Sequence, residues 1–378
     1  MQNFDVIICG AGPAGTTCAL ALFDAGLNVV LLDKESFPRE KVCGDAYGGY
    51  AYKILNTISP VFGEKLQLIN QGVNAKQAKF FSPGGFAYTL KLNGFFSNLP
   101  RIVFDDFLLN MVKAETNTVI LENTIAKKVE VHEDYVSITT QMGEELRAKV
   151  VVGCDGAHSI VQSTITKTRK SKTDSFPSLR GYFKNVKDVD DDCIELHFLK
   201  QVPHGYFWIF PSTNGMANVG VGTNQKKGSE NNINIKKVFF DLIKEAPQFK
   251  ERFANAELVG DVKGWTIPTG YFNSSLSISD KRVLLCGDAA ALVNPLTKEG
   301  IAPAMSSGRY AGKHIKDCFA NNDFSAAFMK KYDKVIHKKY AKEYFKNQVA
   351  ANFFYKTPFI ADCCFCFFNG LKKLKITR

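Results

Sequence analysis

The run Val6-Ile7-Ile8-Cys9-Gly10-Ala11-Gly12-Pro13-Ala14-Gly15 decides the fold. Its first four residues are apolar and partly β-branched, the composition of a strand buried on both faces. Its last six spell G-x-G-x-x-G. A helical run, TTCALALFDAG, follows with Gly26 as its C-terminal cap, and a second apolar run, NVVLLD, ends at Asp33. That acid stands 18 residues past Gly15, near the spacing of about 20 found in β-α-β dinucleotide units. Each part has a mechanical reason. Gly10 permits a tight turn, Gly12 leaves room for a pyrophosphate, and Gly15 lets helix and strand pack closely. The helix N-terminus offers free N–H groups to phosphates, and Asp33 can accept hydrogen bonds from a ribose diol.

Two later segments repeat the theme. Val150-Val151-Val152-Gly153-Cys154-Asp155-Gly156 is a buried strand ending in an Asp-Gly turn, and Val283-Leu284-Leu285-Cys286-Gly287-Asp288-Ala289-Ala290 is another ending in G-D-A-A. A helix of small residues, GIAPAMSSGRYAG, follows the second. Both place an acid at a strand's C-terminal end, where open α/β sheets bind ligands.

These three motifs, in this order, resemble the para-hydroxybenzoate hydroxylase-like superfamily of FAD-dependent oxidoreductases. Within it, Pro38-Arg39-Glu40-Lys41-Val42-Cys43-Gly44-Asp45 is similar to the geranylgeranyl reductase family, as is Tyr206-Phe207-Trp208-Ile209-Phe210-Pro211 followed by Gly220-Val221-Gly222. Arg101 with Asp105, and the stretch NPLTKEGI, add to the likeness, which covers about residues 1–320. The chain departs from it at Lys298, where the family usually carries glycine.

The resemblance implies an α/β fold: a Rossmann-like FAD-binding domain of the GR2 type, an inserted antiparallel β-sheet substrate domain, and C-terminal helices. The expected FAD-binding domain is discontinuous, over 1–75, 100–168 and 278–322. The β-sheet domain is expected over 76–99 and 169–277, and a basic helical segment over 323–378. The resemblance also implies tightly bound FAD, held by Gly10, Gly12, Pro13, Ala14, Gly15, Asp33, Lys34, Arg39, Cys43, Gly44, Arg101, Asp155, Gly156, Gly287, Asp288, Pro295, Gly300 and Ile301. Asp288 would bind the ribityl chain, and Asp155-Gly156 would lie near the pyrophosphate. The implied reaction is reduction of carbon–carbon double bonds in a prenyl or similar apolar chain. With one complete glycine motif, electrons would come from transient NAD(P)H or a small redox protein. The alternatives are an aromatic monooxygenase, a halogenase-like enzyme and a flavin-binding partner without turnover.

Cys43 gains meaning from that placement. Proline and charges around it disfavour a helix, so it belongs on a loop at the sheet's carboxyl edge. It is the candidate proton donor to the alkene, with Arg39 and Lys41 able to favour its thiolate. The competing role is an apolar filler against the flavin. Tyr206, Trp208 and Phe210 alternate, so they share one strand face and, with Gly220 and Gly222, form the candidate substrate wall. Burial at about 0.8 kcal/mol per CH₂ would hold a long chain there without polar contacts.

The net charge of +11 is concentrated at the end of the chain. Residues 329–378 carry twelve Lys/Arg against three acids, which leaves the body near neutral and argues against a nucleic-acid partner. From Asp323 the pattern is a basic amphipathic helix, and an apolar stretch follows Pro358. That combination suits either peripheral membrane association or a helix packed on the FAD domain. No uncharged apolar run reaches the roughly 18 residues of a membrane span. Ten scattered cysteines and the lack of a secretory leader point to reduced thiols and a cytoplasmic location, at the inner membrane face if the helix docks there. Cys363, Cys364 and Cys366 lack the partners a zinc site needs, so no metal is expected.

Overall fold

The structure, a computed structural model, describes residues 2–69, 71–92, 94, 96–165, 175–269, 277–356 and 362–363. Its centre is a six-stranded sheet in the order Ser279–Asp280, Val283–Leu285, Val150–Gly153, Val6–Cys9, Val29–Leu32, Val119–Leu121. All pairings are parallel except that of the two-residue edge strand Ser279–Asp280. The four middle strands are buried along their whole length, as their unbroken apolar runs require. Cys9 pairs with Leu32 and with Gly153, and Gly153 pairs with Leu285. This register brings the four following segments, at residues 10, 33, 154 and 286, to one edge.

The first helix is Pro13–Ala21, starting on the proline inside the glycine motif, where a missing N–H costs nothing. It ends earlier than expected, at Leu22, and Gly26 takes φ +66° in the turn that follows. It packs on the helix Ile301–Asn321. A Cβ at Gly308 would lie 2.1 Å from the Ala14 carbonyl oxygen, so the helices touch backbone to backbone. Residues 126–148 form an outlying antiparallel sheet that Gln2–Asn3 joins in parallel beside Glu145–Ala148, and Ala46–Gly48, Val73–Asn74 and Phe96–Asn98 form a small third one.

The largest sheet has seven strands: Glu257–Pro268, Ser175–Lys184, Met216–Thr223, Gly205–Pro211, Cys193–His197, Gln77–Phe81 and Ala87–Lys91. It is antiparallel except where the two separate chain passages meet, Cys193–His197 against Gln77–Phe81, which is parallel. Of residues 76–99, only the hairpin at 77–91 belongs to it; Phe96–Asn98 lies in the small third sheet. One face carries Phe183, Phe207, Ile209, Val219 and Val221 under the helix Ile235–Glu245. The other carries Phe176, Tyr206, Trp208 and Phe210.

The basic helix runs over Ala326–Lys356. Phe328, Tyr332, Ile336, Tyr340 and Tyr344 are buried in the core of the six-stranded layer. The Tyr332 hydroxyl donates to the Leu285 carbonyl at 2.9 Å, and Asn347 Nδ2 donates to Asn294 Oδ1 at 3.3 Å. The helix therefore buttresses the loop after Asp288, and most of its apolar stripe is spent on packing. Val335, Phe345 and Val349 stay exposed. The apolar stretch after Pro358 lies outside the described residues apart from Asp362 and Cys363; Asp362 accepts from the Gly84 N–H at 2.8 Å. No described helix is long and apolar enough to cross a membrane.

Candidate functional site

The sheet's carboxyl edge collects the glycine and aspartate motifs. Gly10 takes φ +102°, and a Cβ there would fall 2.3 Å from the Cys154 carbonyl oxygen. A Cβ on Gly15 would lie 1.9 Å from the Gly10 carbonyl oxygen, so strand, turn and helix close only with hydrogen at both positions. Gly12 differs: a Cβ there would meet only Arg39 Nη2, at 3.6 Å. Asp33 accepts from the Ala11 N–H at 2.8 Å and from the Glu35 N–H at 3.0 Å. Lys34 is turned to solvent beside Glu35 and does not join the group.

Asp155 accepts from the Ile160 N–H at 2.8 Å through Oδ2, while Oδ1 is buried with no partner among the described residues. Burial raises this carboxyl above the usual range. Gly287 takes φ +55°, and its N–H donates to Ser307 Oγ at 2.9 Å. Asp288 faces Gly300 at the head of the helix Ile301–Asn321, where a Cβ would be 3.7 Å from Asp288 Oδ1. Pro295 lies in the loop between them, and Ile301 is buried at the first turn of that helix. FAD fits this edge. Gly12 faces open space beside a guanidinium, Asp33 ends its strand, and Asp155 holds an unused acceptor for a hydroxyl.

A chain of charges links the edge to the Cys43 loop. Arg39 Nε lies 3.8 Å from Asp33 Oδ1, and its Nη1 lies 3.0 Å from Asp105 Oδ2. Arg101 grips Asp105 with two bonds of 2.6 and 2.7 Å. Burial alone would lower the Arg101 guanidinium, but Asp105 and then Cys43 outweigh it and push the group up. Arg101 and Lys41 are both cations near the thiol. Arg39 is committed to two carboxylates, and Lys41 lies over the Trp265 ring at 3.5 Å. Burial pushes the Lys41 amine down to about 8, against the pull of Asp288.

The seven-stranded sheet reaches over and holds this loop. Asn218 Nδ2 donates to the Cys43 carbonyl at 2.9 Å and to Asp45 Oδ2 at 2.8 Å, while its Oδ1 accepts from Trp208 Nε1 at 3.0 Å. The Tyr182 hydroxyl also donates to Asp45 Oδ2. Arg180 donates to Glu40 at 3.2 Å and to the Lys41 carbonyl at 3.4 Å. Asp45 is 1% exposed, takes φ +65°, and is raised by burial. The register explains the grouping: Asn218 pairs with both Tyr182 and Phe210, and Gly220 with both Arg180 and Trp208. A Cβ at Gly44 would come within 3.2 Å of the Phe210 ring.

Tyr206, Trp208 and Phe210 share the face directed at this loop, as their alternation requires. Gly220 and Gly222 make room for rings. A Cβ on Gly220 would sit 2.1 Å from Trp208 Cζ2, and one on Gly222 2.1 Å from Phe176 Cε1. The Tyr206 hydroxyl reaches the Thr297 carbonyl at 3.3 Å. Next to it stands Lys298, at φ +61°, its amine on the Pro295 carbonyl and 4.8 Å over the Phe176 ring. Burial pushes that amine down to about 7. Sequence reading singled out neither Asp45, Arg180, Tyr182 nor Asn218 as part of the site. The signal for Arg180, Tyr182 and Asn218 was a polar side chain within a strand; Asp45 lies on the loop before Ala46–Gly48 and gave none. No group of three or more potential metal ligands occurs among the described residues.

Comparison with known proteins places the chain and its fold among relatives. The family described as geranylgeranyl reductase catalytic domain matches residues 175–262, and that described as FAD dependent oxidoreductase matches residues 5–169. Digeranylgeranylglycerophospholipid reductase 1 of Methanopyrus kandleri is 30% identical, over 88% of this chain and 85% of the relative. The crystal structure of a geranylgeranyl bacteriochlorophyll reductase-like protein from Thermoplasma acidophilum superposes with a TM-score of 0.81 at 25% identity, covering 93% of this chain and 87% of that one. The myxobacterial chondrochloren halogenase CndH shares the fold, with a TM-score of 0.76 at 21% identity, covering 91% of this chain and 81% of that one.

Proposed function

The chain belongs to the geranylgeranyl reductase family of FAD-dependent oxidoreductases, and from that premise we propose that it saturates carbon–carbon double bonds in the prenyl chain of a lipid. When bound at the sheet's carboxyl edge, reduced FAD supplies a hydride to one alkene carbon. The chain's own residues do the rest. Gly12 and the head of the helix Pro13–Ala21, in a turn that Gly10 and Gly15 allow to close, would receive the pyrophosphate, Asp33 would take the ribose, and Asp155 and Asp288 would take further hydroxyls. Arg39 and Arg101 set positive charge along the path. The Cys43 thiol gives a proton to the second carbon, with Arg101 beside it to stabilise the thiolate that remains. Tyr206, Trp208 and Phe210 exclude water and bind the chain by burial. The catalytic and binding layers correspond to 1–75, 100–168 and 278–322 for FAD, and to the seven-stranded sheet for substrate.

One observation carries this reading: the Cys43 loop is hydrogen-bonded by Asn218 to the aromatic face and joined by charge to the glycine edge. A thiol fixed between a cofactor edge and an apolar face is suited to protonating an alkene. The test is anaerobic. Dithionite-reduced flavoprotein is mixed with a geranylgeranyl lipid, and flavin reoxidation is followed together with the lipid's mass. The expected result is a gain of two hydrogens per double bond with stoichiometric reoxidation. Reoxidation only on admitting oxygen would refute it and favour a monooxygenase or halogenase.

NAD(P)H or a small redox protein is the proposed donor, because the chain carries one complete glycine motif. The proposed location is the cytoplasmic membrane face. Phe345 and Val349 project from a lysine-rich helix, and a lipid substrate resides in the bilayer.

A further inference from the structure

The reaction proposed above gives Lys41 no task, yet the fold places it with care. It stands two residues before Cys43, on the loop that follows the strand Val29–Leu32. Its amine lies 3.5 Å over the ring of Trp265, and among the described residues no carboxylate is at ion-pair distance from it. Trp265 comes from the other layer. It belongs to Glu257–Pro268, the edge strand of the seven-stranded sheet, where it pairs with Ser178 and its carbonyl accepts from the Ser178 hydroxyl at 3.0 Å. That strand packs on the turn Gly156–His158, with the Trp265 ring edge-on to His158 at 5.5 Å. The same turn packs on Gly287–Ala290, which carries Asp288. The indole therefore stands at the carboxyl edge, beside the turn that follows Asp155. A Cβ on Gly156 would meet nothing within 4 Å, so the space next to that turn is open.

The cations of the edge are thereby divided between its two ends. Arg39 serves the glycine turn, where a Cβ on Gly12 would lie 3.6 Å from its Nη2 and where the helix Pro13–Ala21 begins. Lys41 serves the end nearer the thiol. Burial pushes its amine down to about 8, and of the charged groups that act on it Asp288 comes first, before Arg101 and Cys43. A diphosphate, which is always anionic, is provided for at the glycine turn. What has no counter-charge there is the negative charge that a flavin gains when it takes up two electrons and one proton.

We propose that Lys41, held in place by the face of Trp265, supplies that counter-charge, so that the protein binds reduced FAD more tightly than oxidised FAD and raises the cofactor's potential. The inference rests on FAD occupying this edge and deepens the reductase reading. The indole suits the task. A ring face attracts an ammonium and fixes its position without cancelling its charge, whereas a carboxylate in the same place would neutralise it. Away from bulk water the remaining charge acts on the cofactor with less screening. Trp265 is on this account a positioning residue, and it makes the cofactor's potential depend on the substrate sheet being seated on the carboxyl edge.

The test uses the full chain loaded with FAD, without lipid. Flavin fluorescence gives the dissociation constant of oxidised FAD, and anaerobic titration against a reference dye gives the midpoint potential. With the potential of free FAD, the two yield the ratio of the oxidised to the reduced dissociation constant. In Lys41→Gln that ratio should fall about tenfold or more, which lowers the potential of the two-electron couple by about 30 mV, while the oxidised dissociation constant stays within about twofold. Lys41→Arg should keep most of the ratio. Trp265→Leu should lower it with the lysine still present, and Trp265→Phe should restore most of it. A ratio unchanged in Lys41→Gln, or unchanged in Trp265→Leu, would overturn the proposal. So would an equal loss of affinity for both forms of FAD, which would assign the lysine to the diphosphate. Reduction of a geranylgeranyl lipid is measured separately: its absence would refute the reductase reading and leave the potential shift to be judged by itself.

Discussion

Lys298 is the residue where this chain departs most sharply from what its surroundings ask for. Its backbone sits at φ +61°, a conformation that costs a side-chain-bearing residue about 1 kcal/mol and glycine nothing. Its amine is pushed from 10.5 to about 7 by burial, with only the Pro295 carbonyl as acceptor and the Phe176 ring beneath. At 1.36 kcal/mol per pH unit the depression sets an upper limit of about 5 kcal/mol on the cost of charging it in the folded protein. The side chain retains some contact with solvent, so about 2 kcal/mol is the figure to carry forward.

The sign follows from proton counting. Between pH 7 and 10.5 the unfolded chain holds the proton more tightly than the native one, so native stability rises with pH across that window. Below 7 the full cost is present; above 10.5 it is gone. Lys298→Gly should therefore stabilise the flavin-free protein by about 2 kcal/mol at pH 6 and by much less at pH 10.5. Lys298→Ala removes the amine but keeps the strained backbone, so glycine should exceed it by up to about 1 kcal/mol at both pH values, less its greater unfolded entropy. Urea denaturation at the two pH values measures all of these. A stabilisation that is the same at both, or larger at pH 10.5, would refute the reasoning.

Cys43→Ala should keep FAD, read as the flavin-to-protein absorbance ratio, while alkene reduction falls by about 10² or more; full turnover would remove the thiol from the reaction. Gly220→Ala should lower stability by about 3 kcal/mol, because its Cβ would lie 2.1 Å from Trp208 and 2.5 Å from the Leu179 carbonyl oxygen. Calorimetry should show a clear drop in Tm, and an unchanged Tm would contradict the packing described. Phe345→Glu with Val349→Glu should abolish flotation with anionic liposomes while leaving Tm within a degree or two, since both side chains are already exposed. Deleting the helix is not a usable control, because Tyr332, Ile336 and Tyr344 lie in the core.

The nucleotide edge was legible because its constraints are local. A buried strand, three glycines, a helix and an acid lie within 28 residues, Val6 to Asp33, and each is required by the geometry of its sequence neighbours. The alternation of Tyr206, Trp208 and Phe210 was legible for the same reason. What could not be read was pairing at a distance. Gly220 and Gly222 look like cofactor or substrate glycines along the chain, yet they clear space for Trp208 and Phe176 across the sheet. The C-terminal helix shows the amphipathic period of a surface helix, and that period does not say what covers the apolar stripe. Asp45 was passed over because an acid after glycine reads as a loop residue. Only with Asn218 and Tyr182 brought in from strands more than 130 residues away does it become a buried joint.

That joint explains why so many polar groups sit on an otherwise apolar face. A buried carboxylate, amide and phenol are each costly when unpaired, and much less so when every donor meets an acceptor. Here Asp45 takes Tyr182 and Asn218, and Asn218 spends both amide hydrogens and its oxygen. A network satisfied in this way has one low-energy arrangement, so the Cys43 carbonyl is held in one place relative to Trp208. Proton transfer to an unactivated alkene tolerates little error in position. Salt links alone, on side chains as long as Arg39 and Arg180, would leave the loop free to slide. The short, directional bonds of Asn218 remove that freedom, and the arginines add charge to a loop whose position is already set.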